Sequence, residues 1–164
     1  MIEKMGKVAA EYKYDGTRLQ VHLDREASNQ KLVTSNSLFE GFGDDSAGQK
    51  VKMYTRNMER VEAMFPDVAA AIIKDVKAET VILDGEAVGF DPQTGKYLPF
   101  QETIQRKRKY DVTEMSKKIP VKYFVFDILL KDGKDLTGLP LNERRKILFE
   151  TINKNSSVIL LSEE

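Results

Sequence analysis

Residues 122–130, KYFVFDILL, place apolar side chains on both faces of an extended chain, and this run restricts the folds open to the polypeptide more than any other feature. A strand of that composition belongs at the centre of a sheet, with cover above and below. Elsewhere the pattern is one-sided. Leu19, Val21 and Leu23 alternate with Gln20, His22 and Asp24, as in a strand that faces water on one side. Val8, Ala10, Tyr12 and Tyr14 alternate with Glu11 and Lys13, predicting a strand over 8–14 that turns at Asp15-Gly16 into the next. Residues 51–56 and 158–161 read as further strands, and 80–90 as strand-like but broken at Asp84-Gly85. Asp132-Gly133 and the DPQTG segment at 91–95 are turns.

Helices are fewer. Asn57 could cap one through Met64, which Pro66 interrupts. A second follows Asp67 and buries a stripe of Val68, Ile72, Ile73 and Val76. Others are expected over 99–109 and 141–152, the first ending in the basic run 106–109. Residues 27–49 are rich in Ser, Asn, Gly and Asp and read as a long excursion. The 164 residues suit one domain, and the hairpin signals predict an α+β fold of largely antiparallel sheets with flanking helices.

Composition removes several kinds of function. Cysteine is absent and His22 is the single histidine, so disulfides, thiolate chemistry and sites built from several imidazoles are excluded. No apolar run approaches the roughly 20 residues needed to cross a bilayer, and the amino end has no signal-peptide pattern. Lys and Arg (26) balance Asp and Glu (26), so any affinity for nucleic acid must come from a local patch.

The stretch from Glu11 to Arg18, EYKYDGTR, carries the most chemistry. Glu11 and Lys13 share a face beside a glycine. A lysine held in a cleft between layers would be desolvated and exposed as an amine nucleophile, and phosphate oxygens are natural partners of the Lys13 and Arg18 pair. A solvated hairpin with ordinary surface charges is the plainer reading of the same letters.

Lys13-Tyr14-Asp15-Gly16-Thr17-Arg18 resembles the KxDGxR signature of the covalent nucleotidyltransferases, which include ATP-dependent DNA ligases, RNA ligases and mRNA-capping enzymes. Four further stretches follow in that family's order. They are YTRN at 54–57, LDGE at 83–86, PFQ at 99–101 followed by RKRK at 106–109, and YFVFDIL at 123–129. The third is similar to archaeal and replicative DNA ligases in particular, and the resemblance covers nearly the whole chain.

The resemblance implies an ATP-grasp-like DNA ligase fold of two largely antiparallel sheets, and a reaction in which lysine attacks the α-phosphate of ATP and retains AMP. The AMP then passes to the 5′-phosphate of nicked double-stranded DNA and is displaced by the 3′-hydroxyl, chemistry used in replication, repair and recombination. Residue by residue it makes Lys13 the nucleophile and Glu11 the reader of the adenine edge. Arg18 and Arg56 face phosphate or ribose, Glu86 contacts ribose or helps hold Mg²⁺, and Phe126 stacks on the purine. Read alone, Phe126 is a core residue of an apolar strand, Glu86 a turn carboxylate and Arg56 a surface cation. His22 stays an exposed strand residue, Met58 and Met64 packing groups, and 106–109 a solvated helix end or a phosphate contact.

The resemblance also makes 1–164 an incomplete adenylation domain with an insertion at 27–49. An EGxxxK motif, a KxK motif, an OB-fold and a helical DNA-binding domain are not found in these residues. From this follow expectations of weak ATP binding, slow or absent self-adenylation and no nick sealing by these residues alone. An RNA ligase or capping-type enzyme, or a non-catalytic nucleotide-binding module, are the alternatives. No membrane is implied, and the location is cytoplasmic in a prokaryote or nuclear in a eukaryote.

Overall fold

The computed structural model describes residues 8, 10–27, 50–107, 116 and 118–162. Their strands are β1 (Thr17–Asp24), β2 (Val51–Tyr54), β3 (Thr80–Gly89), β4 (Val121–Lys131), β5 (Lys134–Asp135) and β6 (Ile159–Leu161). These form one six-stranded sheet in the order β2-β1-β3-β4-β5, with β6 also on β4, where two sheets were expected. All pairings are antiparallel except β4–β6, which is parallel because α3 (Leu141–Thr151) carries the chain back across the sheet.

The apolar run becomes β4, which pairs with β3, β5 and β6. Asp132 and Gly133 turn β4 into β5 with φ of 48° and 76°, the left-handed pair that a two-residue hairpin turn requires. One face of the sheet is the core. Leu19, Val21, Leu83, Tyr123, Val125 and Ile128 lie there beneath α1 (Pro66–Asp75) and α3, which contribute Val68, Ile72 and Leu148. Each such aliphatic side chain stabilises the fold by roughly 1.5–3 kcal/mol. Buried Tyr123 donates its hydroxyl proton to the Leu19 carbonyl at 2.9 Å, and burial holds the phenol well above its usual pKa. Pro66 opens α1, where a missing N–H costs nothing, and Arg25 closes it by donating to the carbonyls of Ile73 and Val76 at 2.8 Å.

Several expectations need correction. Residues 10–15 carry no assigned helix or strand, and Val8 and Tyr12 are exposed, so there is no hairpin at Asp15-Gly16. Gly16 is needed for close approach: a Cβ there would lie 2.3 Å from the Ala87 carbonyl oxygen. Strand β3 runs unbroken through Asp84-Gly85, absorbing shifts of register instead of turning. Residues 57–64 make a tight loop and a 3₁₀ turn (Glu62–Met64), not a helix, with exposed Met58 at φ 62°. His22 is half-buried, edge-on to Tyr54 at 5.1 Å, and burial lowers its pKa. The segment after Pro99 is a short α2 (Phe100–Thr103) that tightens to a 3₁₀ turn (Ile104–Lys107). Arg106 within it is no solvated end. It is fully buried, bonded to Asp67 at 2.9 Å and set over the Phe65 ring. Residues 108–109 and the expected insertion, apart from Ala27, lie outside the described residues.

Candidate active site

A cleft of about 600 Å³ lies beside the sheet, and all six residues singled out from the sequence line it: Glu11, Lys13, Arg18, Arg56, Glu86 and Phe126. They come from four separate parts of the chain. Arg18 lies on β1, and its register partner on β3 is Glu86. The diagonal neighbour Asp84 projects to the same face, two residues away. Asp84 is buried and takes the Arg18 guanidinium through both oxygens, with Nε at 3.0 Å. That bidentate bond is the largest influence raising the Arg18 pKa.

Glu86 is half-buried, and burial raises its carboxyl pKa. The Gly16 N–H, Arg18 and Lys13 oppose that rise without cancelling it, while Asp84 adds to it. The folded state therefore favours the protonated carboxyl, and this group's stabilising contribution is full below the unfolded pKa and lost as pH rises through the folded one. Because the Glu86 pKa is raised, Glu86→Gln is expected to raise the melting temperature slightly at pH 7 and to change it less at about pH 4, where more of the native acid is protonated. Paired thermal melts at the two pH values check this, and a lower melting temperature for the variant at pH 7 contradicts it.

Phe126 reaches the cleft by an irregularity that strand alternation does not reveal. Gly85 pairs with Val125 and Asp84 with Asp127, so β4 advances two residues while β3 advances one. Phe126 is the extra residue of this bulge, a device that commonly re-aims a side chain beside a site. Its ring carries the Arg18 guanidinium carbon 5.9 Å from the centroid.

The segment bearing Lys13 is fixed by side chains in place of a strand ladder. Glu11 is ion-paired with Arg145 of α3. Tyr14 stacks on Phe124 with ring centroids 4.0 Å apart, and Asp15 accepts the Phe100 N–H at 3.3 Å. Lys13 itself is exposed on the cleft wall, so the expected desolvation of its amine is not found. Arg56 is exposed in the loop after β2, which is closed by bonds from Met58 N–H to Thr55 O and from Thr55 N–H to Glu59 O.

Sequence reasoning missed Asp84, Tyr14, Phe100 and Arg145. Alternation would have put Asp84 and Glu86 on one strand face had Asp84-Gly85 not been read as a turn. Nothing local marks Arg145, which looks like a solvated helix charge until α3 is packed. No group of three or more His, Cys, Asp or Glu able to hold a metal occurs among the described residues. Of the carboxylates at the cleft, Asp84 and Glu11 are committed to arginines, while Glu86 and Glu59 also line it, and a carboxylate such as Glu86 suits an ion shared with a ligand's phosphates.

Residues 44–164 match the family described as "ATP dependent DNA ligase domain". A probable DNA ligase of Dictyoglomus turgidum is 36% identical over 98% of this chain, and a DNA ligase of Pyrobaculum calidifontis is 40% identical over 98%. The chain spans about a quarter of the length of each, 24% in both cases. Among solved structures, the ligase domain of M. tuberculosis LigD superposes with a TM-score of 0.58 at 26% identity, over 93% of this chain and 38% of that one. A mycobacterial DNA ligase D complexed with ATP and MES gives 0.55 at 26% identity, over 92% of this chain and 38% of its own. The chain belongs to the ATP-dependent DNA ligase domain family, and its α+β fold is the nucleotidyltransferase fold of that family. No helix among the described residues is long and apolar enough to cross a membrane.

Proposed function

We propose that the cleft binds ATP and that Lys13 becomes adenylated, as part of a ligase that seals nicks in double-stranded DNA. The observation that carries this is the convergence of Lys13, Arg18, Arg56, Glu86, Phe126 and Glu11 on one cleft from distant parts of the chain. The match to a ligase D complexed with ATP supports the choice of nucleotide.

In the step itself the neutral Lys13 amine donates its lone pair to the α-phosphorus. The N–P bond forms as the P–O bond to pyrophosphate breaks, and pyrophosphate leaves with that electron pair. The amine's surplus proton passes to water, which the exposed position of Lys13 admits. Arg18 and Arg56 offset negative charge on the phosphates, and Phe126 covers one face of the base. Glu11 faces the adenine edge. Glu86 would hold Mg²⁺ jointly with the phosphates, and the ion would supply charge neutralisation there.

Transfer of AMP to a 5′-phosphate and its displacement by a 3′-hydroxyl belong to a longer protein in which an OB-fold and a helical DNA-binding domain grip the duplex. Residues 1–164 are then part of its adenylation domain, with 27–49 an insertion. A DNA-sealing enzyme works where the chromosome is, the cytoplasm in a prokaryote or the nucleus in a eukaryote.

Incubation with α-labelled ATP or GTP and Mg²⁺ tests the reading. Covalent label from ATP, slow to accumulate on these residues alone but at least tenfold above that from GTP, is expected. Preferential labelling by GTP favours a capping-type enzyme, and binding of ATP with no covalent label favours a non-catalytic module.

A further inference from the structure

The buried Arg145 guanidinium joins three pieces of chain at the rear of the cleft. Its Nη1 donates to the Glu11 carboxylate and, at 3.4 Å, to the Phe126 carbonyl. Its Nη2 donates to the Ser162 carbonyl at 2.6 Å. Arg145 is 6% exposed, and the α3 backbone fixes its origin. A planar fork so placed fixes the position and orientation of what it holds, which a flexible ammonium would do less well.

Glu11 and Phe126 are the two residues assigned above to the base, one to its edge and one to its face. They lie on separate segments, and residues 10–15 have no strand ladder of their own to set Glu11 in register. We infer that Arg145 is a positioning residue for base selection: it locks the Glu11 carboxylate, at a fixed offset from the Phe126 ring, so that a purine bearing a 6-amino group is accepted and a 6-oxo purine is refused.

The chemistry is that of an acceptor aimed at a donor. Arg145 bonds Oε1 of Glu11, and the carboxylate keeps acceptor capacity for an exocyclic amine. A 6-oxo purine presents an oxygen at that place, and two acceptors facing each other in a partly closed cleft repel. With the guanidinium removed, the carboxylate could swing to water and the choice between bases would fade. The inference rests on the nucleotide reading of the cleft, in which Glu11 meets the base.

The test compares ATP and inosine triphosphate as competitors for the wild-type chain and for Arg145→Met, Arg145→Lys and Glu11→Gln, by equilibrium binding and by rate of covalent labelling. Wild type is expected to prefer ATP by at least tenfold. Arg145→Met and Glu11→Gln are each expected to reduce that ratio to near unity, and the double variant to do no more than either. Arg145→Lys, which keeps the charge without the fork, is expected to restore part of the ratio and serves if the methionine variant does not fold. An unaltered ATP preference in a folded Arg145 variant overturns the inference and leaves the nucleotide reading standing. Failure of the wild-type chain to bind ATP overturns both.

Discussion

Alanine at Gly85 is expected to destabilise the fold by about 3 kcal/mol or more, lowering the melting temperature by roughly 10 °C in a chain of this size. A Cβ at that position would sit 2.5 Å from the Phe124 carbonyl oxygen and 2.7 and 2.8 Å from the Tyr123 ring. Neither neighbour can yield cheaply. The carbonyl belongs to the paired β3–β4 ladder, and the buried Tyr123 ring is tethered through its hydroxyl to Leu19 O at 2.9 Å. Relief would require β3 and β4 to separate at the bulge that carries Phe126. Gly138, whose Cβ would meet nothing within 4 Å, is the matching control and should tolerate alanine. Thermal melts of both variants decide the matter, and a Gly85→Ala protein melting within a couple of degrees of wild type would contradict the packing described for these strands.

Lys13→Ala is expected to remove covalent labelling by ATP, down to background, because no other amine lines the cleft among the described residues. Lys13→Arg is expected to be as inactive, since a guanidinium keeps its proton and offers no free lone pair. Both variants should fold as wild type does, the side chain being exposed, and should still bind ATP within about tenfold of it, because Phe126, Glu11 and the arginines remain. Label counting together with a binding isotherm separates loss of the nucleophile from loss of the site. Covalent label retained by Lys13→Ala would move the chemistry to another residue.

Much of this architecture was legible in the amino-acid order, and the exceptions share a cause. Alternation identified β1, the two-sided apolar run identified β4, the break at Pro66 with the apolar stripe after Asp67 placed α1, and the Asp132-Gly133 turn followed from residues that accept left-handed φ. Misreadings arose where a glycine serves packing. Gly16 and Gly85 both looked like turns, but each is small because a neighbouring carbonyl occupies the space a Cβ would need. A single sequence cannot distinguish the two uses. Segment 8–14 misled for a related reason: its alternation is real, yet Glu11, Tyr14 and Asp15 tie it to α3, β4 and α2 by side chains. Arg106 likewise reads as one charge among a basic run, and only tertiary contact with Asp67 and Phe65 shows it buried.

The six residues that line the cleft were legible as a set because five motifs fell in one family's order, not because any one was distinctive. Their tertiary support was not. Asp84 holds Arg18, Arg145 holds Glu11, and the β4 bulge carries Phe126 to the cleft. These depend on register and helix packing, and neither can be read locally.

Site-resolved mass spectrometry of the wild-type chain after incubation with ATP and Mg²⁺ probes the central claim most directly. Digestion and separation should be kept at neutral to alkaline pH, since a phosphoramidate is lost in acid. On prolonged incubation the account predicts slow accumulation of a single AMP on the peptide containing Lys13, with fragment ions assigning it to that Nζ. AMP found on a different residue, or bound ATP that never leaves an adduct on Lys13, would contradict it.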